Sequence, residues 1–223
     1  MLGVRRLRRT ATAEPAIVRP TRRGGIVVEV TQMTNRTRSA RPITDCGGGS
    51  PFSIRIRRAV AADARVIAEI GVAGWQAAYR GILPDEFLDG LSVDARETAW
   101  RMMLESDEGG EAPAWLAERD GRAIGFVASG PPRDDDVPPP AAEVYAIYVM
   151  PDSWRGGAGK ALIGSAADHW KARGAATMVL WVLEANSSGR AFYEALGWIP
   201  DGHRQQIDFG VFASTEVRYR SKL

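Results

Sequence analysis

One cysteine in 223 residues, Cys46, leaves no internal disulfide framework and no cysteine zinc site. The two histidines, His169 and His203, stand too far apart for ligand spacing, so no metal is expected. No apolar run approaches the ~20 residues that a membrane-crossing helix needs. The opening MLGVRRLRRT is basic but lacks the apolar stretch of a secretory leader. These absences point to a reducing, cytoplasmic setting with no membrane partner. Charge is scarce only in the sum: the net +2 combines ten arginines and three acids in residues 1–50 with nineteen basic and twenty-four acidic residues beyond. Residues 1–51 have no sustained periodicity and are rich in Arg, Thr, Gly and Pro, so they bury too little apolar surface to offset the entropy of ordering. A disordered basic extension is expected there, ending in the linker CGGGSP at 46–51, with Met33 as an alternative start. Its arginines have no aromatic interleaving, which speaks for a solvated tail over a nucleic-acid arm.

The remainder, 52–223, reads as one domain built around residues 143–183. The run EVYAIYV at 143–149 is β-branched and aromatic, and Pro151 closes it, which predicts a buried strand. WRGGAGK follows at 154–160, with three glycines in four positions, so the main chain turns tightly and leaves N–H groups uncovered for an anion. A helix then carries Ile163, Ala166, Ala167 and Trp170 on one side, and Gly174 stands at its C-terminal end. The positive end of its dipole adds to the same N–H groups. TMVLWVL at 177–183 is a second buried strand, which completes a βαβ unit. A Walker A loop is excluded, since Trp154 stands where its first glycine belongs and Ala161 where Ser or Thr belongs. A dinucleotide fingerprint starting at Gly157 is excluded by Leu162.

Upstream, alternation predicts a strand at 53–57, and Asp63 opens a helix through Val66, Ile67, Ile70 and Val72 to Trp75. Further helical pieces fall at 84–88 and 93–104, the second with Trp100, Met103 and Leu104 inward. Strands at 114–118 and 123–129 flank Asp120-Gly121, a hairpin turn. The loop PPRDDDVPPP at 131–140 is too rich in proline and like charge to form an element; Asp134, Asp135 and Asp136 read as a solvated run or as a lure for a cationic acceptor. Two terminal strands, 198–209 and 211–220, turn at Gly210.

The stretch 154–159, Trp-Arg-Gly-Gly-Ala-Gly, resembles the acyl-CoA loop of the GNAT superfamily of N-acyltransferases, with Trp154 in place of the usual polar or basic first residue and Arg155 next to it. EANSSGRAFYEALGW at 184–198 is similar to that superfamily's second motif, with Gly189 in place of its alanine. The resemblance is close over 141–202 and looser over 53–105. It implies a mixed α/β fold, a mostly antiparallel central sheet with one splayed parallel pair of strands, flanked by helices. It also implies acetyl-CoA as acyl donor and an amine of a small molecule, peptide or protein as acceptor. Arg155, Gly156, Gly157, Ala158, Gly159 and Lys160 would meet the pyrophosphate, although Lys160 also reads as a solvated helix charge. Ile147, Tyr148, Val149 and Asn186 would meet the pantetheine arm, with Asn186 equally suited to capping the helix at 188–196. Tyr193 falls where the superfamily often places the thiolate's proton donor, or it is a packing tyrosine. Glu143 falls where some members carry the general base, or it is a solvent-facing strand glutamate. Trp75 and Tyr79, at i and i+4 in the region that walls the acceptor pocket, line it or belong to the core. A binding module without turnover, a nucleic-acid adaptor using the basic tail, and a homodimer remain open.

Overall fold

The computed structural model describes residues 53–107 and 110–223. The basic extension over 1–51, with Cys46 and its glycine linker, lies outside the described residues. Along the chain run β1 (Arg55–Arg58), α1 (Ala64–Tyr79), α2 (Asp85–Asp89), α3 (Val93–Ser106), β2 (Ala114–Arg119), β3 (Arg122–Gly130), β4 (Ala141–Val149), α4 (Ala158–Ala172), β5 (Thr177–Leu183), α5 (Ser187–Ala195), β6 (Ile199–Asp208) and β7 (Ala213–Lys222). The strands form one sheet in the order β1-β2-β3-β4-β5-β7-β6. Among these seven strands β4 and β5 pair in parallel, and every other neighbouring pair is antiparallel.

Each face of the sheet carries its own apolar layer, as period-2 alternation requires of a sheet covered on both sides. On one face Ile147 and Val149 of β4 and Leu180 and Val182 of β5 meet Leu162 and Ala166 of α4 and Phe192 and Tyr193 of α5. On the other, Phe126 of β3 and Tyr148 of β4 meet Ile67 and Trp75 of α1 and Trp100 of α3. The apolar stripe of α1, Ala64, Ile67, Ala68, Gly71, Trp75 and Ala78, recurs at helical spacing and is buried throughout. The β2–β3 turn has positive φ at both Asp120 (52°) and Gly121 (74°), the mirror-image turn that matches strand twist.

Two irregularities in β4 shape the middle of the sheet. Its register with β3 jumps from Ala128↔Ala146 to Ser129↔Val144, so Tyr145 is the extra residue of a bulge. Its pairing with β5 begins at Ala141↔Thr177 and stops at Val144↔Leu180, although β4 continues to Val149 and β5 to Leu183. A bulge bends its strand, and from it onward the parallel pair opens into a wedge.

The loop at 131–140 departs from the solvated run expected of it. Arg133 reaches Glu143, and Asp134 accepts from the Trp181 indole at 2.9 Å and from Arg218 at 2.8 Å. Asp136 takes Arg218 with both carboxylate oxygens, at 2.8 and 2.6 Å. The like charges are ordered because a buried arginine from β7, 1% exposed, lies among them.

Candidate active site

The glycine-rich turn ends three residues earlier than the stretch 154–160 suggests. Gly157, at φ 87°, is the N-cap of α4, so Ala158, Gly159 and Lys160 already form its first turn. The first N–H of α4 with a backbone partner is that of Ala161, on the Gly157 carbonyl at 3.0 Å, so the three preceding donors point out of the helix end. Arg155 holds φ 62°, a left-handed conformation uncommon for a non-glycine residue and a mark of a loop shaped for contact. Trp154 donates its indole N–H to the Val149 carbonyl at 2.7 Å, which ties the turn to the end of β4. Arg119, from β2, donates to the Gly156 carbonyl at 3.3 Å and adds a cation at the turn that the motif does not include.

Beyond the bulge, β4 presents its edge to the wedge. The Met150 N–H bonds to Ile124 of the β3 side at 2.8 Å, and ladder alternation then turns the Tyr148 main chain toward β3 and that of Ile147 and Val149 toward the gap. Since the Val149 carbonyl is taken by Trp154, the groups left for a ligand are the Val149 N–H and both main-chain groups of Ile147. The fully buried Tyr148 side chain faces the α1 layer, away from the loop. Across the wedge, Asn186 caps α5, its side-chain oxygen accepting from the Gly189 N–H at 2.9 Å. A Cβ at Gly189 would meet the Asn186 amide nitrogen at 2.6 Å, which accounts for glycine there. Tyr193 is fully buried, beside Phe192, Trp198 and Tyr219, in the same apolar layer as Ile147, Val149 and Ala158.

The α1 face of the wedge is charged at one end and aromatic at the other. Glu143 is 1% exposed, so a solvent-facing glutamate is excluded. Its Oε2 accepts from the Arg133 N–H at 2.8 Å, and its Oε1 accepts from Arg133 Nε at 3.0 Å and from Arg133 Nη2. Arg133 also stacks over Tyr145, 4.7 Å from the ring centre, and the Tyr145 hydroxyl donates to the Pro131 carbonyl at 2.6 Å. Glu216 of β7 lies opposite Leu183, three residues past the last parallel pair, and is 3% exposed. Gln205 donates to it at 2.8 Å. Burial pushes the Glu216 carboxyl above the usual range, against the pull of Gln205 and Arg133 and with the help of Glu143 and Asp134. At the aromatic end Trp75 and Tyr79 are both buried, 4.9 Å apart edge to face, with Phe209 6.0 Å from Trp75.

A helix N-terminus with outward N–H groups, next to a parallel strand pair that opens at its C-terminal ends, is a ready anion and ligand cleft. The family model described as the Acetyltransferase (GNAT) family matches residues 75–198, which span both motifs and the wedge between them. The chain belongs to the GNAT acetyltransferase family. The chain is 32% identical over 143 residues to a Bacillus subtilis protein named "Uncharacterized N-acetyltransferase YuaI", covering 64% of this chain and 78% of the relative. A Mycobacterium tuberculosis protein named "Probable N-acetyltransferase Rv2775" is 32% identical over 152 residues, 68% of this chain and 83% of the relative. The PaiA N-acetyltransferase of Thermoplasma acidophilum, solved in complex with coenzyme A, shares the fold with a TM-score of 0.63 at 21% identity, over 77% of this chain and 99% of that one. The relatives are named N-acetyltransferases, and the family is one of acetyltransferases. Among the described residues no helix is long and apolar enough to cross a membrane, and no group of three or more candidate ligands could hold a metal ion.

Within the GNAT domain, Ile147, Val149, Ala158 and Tyr193 come together on the α4 side of the wedge, whereas Trp75, Tyr79 and Tyr148 gather on the α1 side. The sequence reading missed Arg133, Arg119 and Glu216. Arg119 and Glu216 sit in unremarkable alternating strands, and the only sign of Arg133 was a single cation in an acidic loop.

Proposed function

We propose that this GNAT domain acetylates the amine of a small molecule or peptide, and that the two sides of the wedge divide the work. Acetyl-CoA supplies an activated thioester carbonyl. The outward N–H groups at 158–160, with Arg155, Lys160 and Arg119, hold its pyrophosphate; the main chain of Ile147 and Val149 and the Asn186 side chain align the pantetheine arm. Tyr193 gives its hydroxyl proton to the departing sulfur as the C–S bond breaks. An alkylammonium with a pKa near ~10.4 is less than about one part in a thousand neutral at pH 7, so a group must accept its proton. We assign this to Glu216, whose burial raises its proton affinity, and assign Glu143 to holding Arg133, which engages both of its carboxylate oxygens. The single observation that carries the reading is the wedge in β4–β5 opening directly beside the N-terminus of α4.

Thiol release from acetyl-CoA with an amine panel tests the activity. Tyr193→Phe is expected to keep coenzyme A affinity by calorimetry and to lower kcat about 10²- to 10⁴-fold. Gly157→Glu, which puts bulk and like charge into the anion turn, is expected to abolish that affinity. Coenzyme A binding without thiol release for any amine would mark a binding module instead.

A further inference from the structure

Among the described residues, the α1 layer holds a cation that forms no ion pair. Arg96, on the second turn of α3, lies with its Cζ 5.2 Å from the Trp75 ring centre, and its Nη2 is shielded from solvent with no hydrogen-bond partner. The Trp75 indole N–H is likewise buried and unpartnered. The acids nearest Arg96 in sequence are committed elsewhere: Asp94 and Glu97 accept from Arg65 at 2.5 and 3.1 Å, and Glu97 also from Arg101 at 2.7 Å. Burial pushes the Arg96 guanidinium below its ordinary range, and Tyr148 of β4 is the one titratable neighbour that acts on it. A shielded guanidinium nitrogen and a buried indole N–H side by side are costly donors to leave unsatisfied, and such groups in a native fold call for an acceptor from outside the chain. Their place fits: Trp75 packs on Tyr79, Phe87 and Phe209, and Leu183, which lies beyond the last parallel β4–β5 pair, belongs to the same apolar layer.

We infer that Arg96 and the Trp75 N–H form a carboxylate-binding subsite, so that the amine acetylated by this domain belongs to an amino carboxylate. The inference rests on the acetyl-transfer reading for the amine half of that substrate. A carboxylate matches the planar guanidinium fork and leaves an oxygen for the indole donor. A phosphate dianion matches less well, since Arg96 is one cation and Glu216 and Glu143 stand on the same sheet face.

The test offers a panel of α- and ω-amino acids, each as free acid, as primary amide and as aminoalkyl phosphate of equal length, to wild-type protein and to Arg96→Met and Arg96→Lys. The expected result is a wild-type preference, in kcat/KM, for the acid over both analogues. Arg96→Met should reduce the acid-to-amide ratio about 10- to 100-fold, the worth of a charged hydrogen bond, and Arg96→Lys should restore part of it. Arg96→Met should not lower the melting temperature, because it removes an uncompensated buried charge. A ratio near one in the wild type, a preference for the phosphate, or an equal loss for acid and amide in Arg96→Met would overturn the subsite. Calorimetry of the N-acetylated acids and amides on coenzyme A-loaded protein separates the two readings. Arg96-dependent binding of the acids without any acetyl transfer would sink the transferase reading and sustain the subsite; transfer without Arg96-dependent binding would do the reverse.

Discussion

Glu143 and Glu216 are buried carboxylates on one sheet face, and their neighbours give them opposite energetics. Glu143 is clamped by Arg133, so Glu143→Gln leaves a part-buried guanidinium without its counter-charge, a loss of about 3–5 kcal/mol of the kind seen when one member of a buried pair is removed. Glu216 has a raised folded pKa, so the folded state binds its proton more tightly than the unfolded state does. Its contribution to stability is present at low pH and is lost as pH rises from its ordinary value of 4.5 through the folded one. Glu216→Gln is therefore expected to leave the melting temperature at pH 7 unchanged or higher. The same change should lower kcat about 10²- to 10⁴-fold, remove the acidic limb of the rate profile and leave a deficit that shrinks toward pH 10, where the amine deprotonates unaided. Rate profiles of Glu216→Gln and wild type that run parallel across this range would return the proton to a water chain.

At the scale of elements, α5 carries a second testable division. Asn186→Ala removes the N-cap bond to Gly189, and about 1 kcal/mol of stability should go with it, read as a lower denaturation midpoint. If Asn186 also touches the pantetheine arm, the KM for acetyl-CoA rises in the same variant; a changed midpoint with an unchanged KM makes it a cap alone. Local chemistry made most elements legible from sequence. The β2–β3 hairpin was announced by Asp120-Gly121, α4 by its glycines and apolar period, and β5 by a bounded apolar run whose limits the structure reproduces. What stayed hidden is long-range. The acidic loop is ordered by Arg218, more than eighty residues away, and Glu216 is buried only once β7 has paired with β5 and β6. No local period records either partner. The Tyr145 bulge was equally unreadable, because the run at 143–149 is apolar on both faces and a shift of one residue leaves its pattern unchanged.

For the whole molecule, Arg218 is a clasp that joins the 131–140 loop, β6 and β7 by ion pairs to Asp134, Asp136 and Asp201, and its guanidinium lies 5.5 Å from the Trp181 ring of β5. The hydrogen bond from Arg218 holds the Asp136 carboxyl at about 2, below its ordinary 3.8, so this contribution is present above pH 3.8 and is lost as pH falls through about 2. Arg218→Met leaves three carboxylates facing one another. It should lower the melting temperature by several degrees at pH 7, with the gap to wild type closing as pH drops below 4 and the carboxylates neutralise. A gap that is constant with pH would make Arg218 a packing residue. The sheet itself has a further consequence. Because it stands between the two apolar layers, the residues proposed above to grip the donor and those proposed to choose the acceptor lie on opposite faces and share almost no side chains. On that proposal, acceptor choice can be rewritten by design in α1, α3 and the β6–β7 hairpin while coenzyme A affinity stays unchanged.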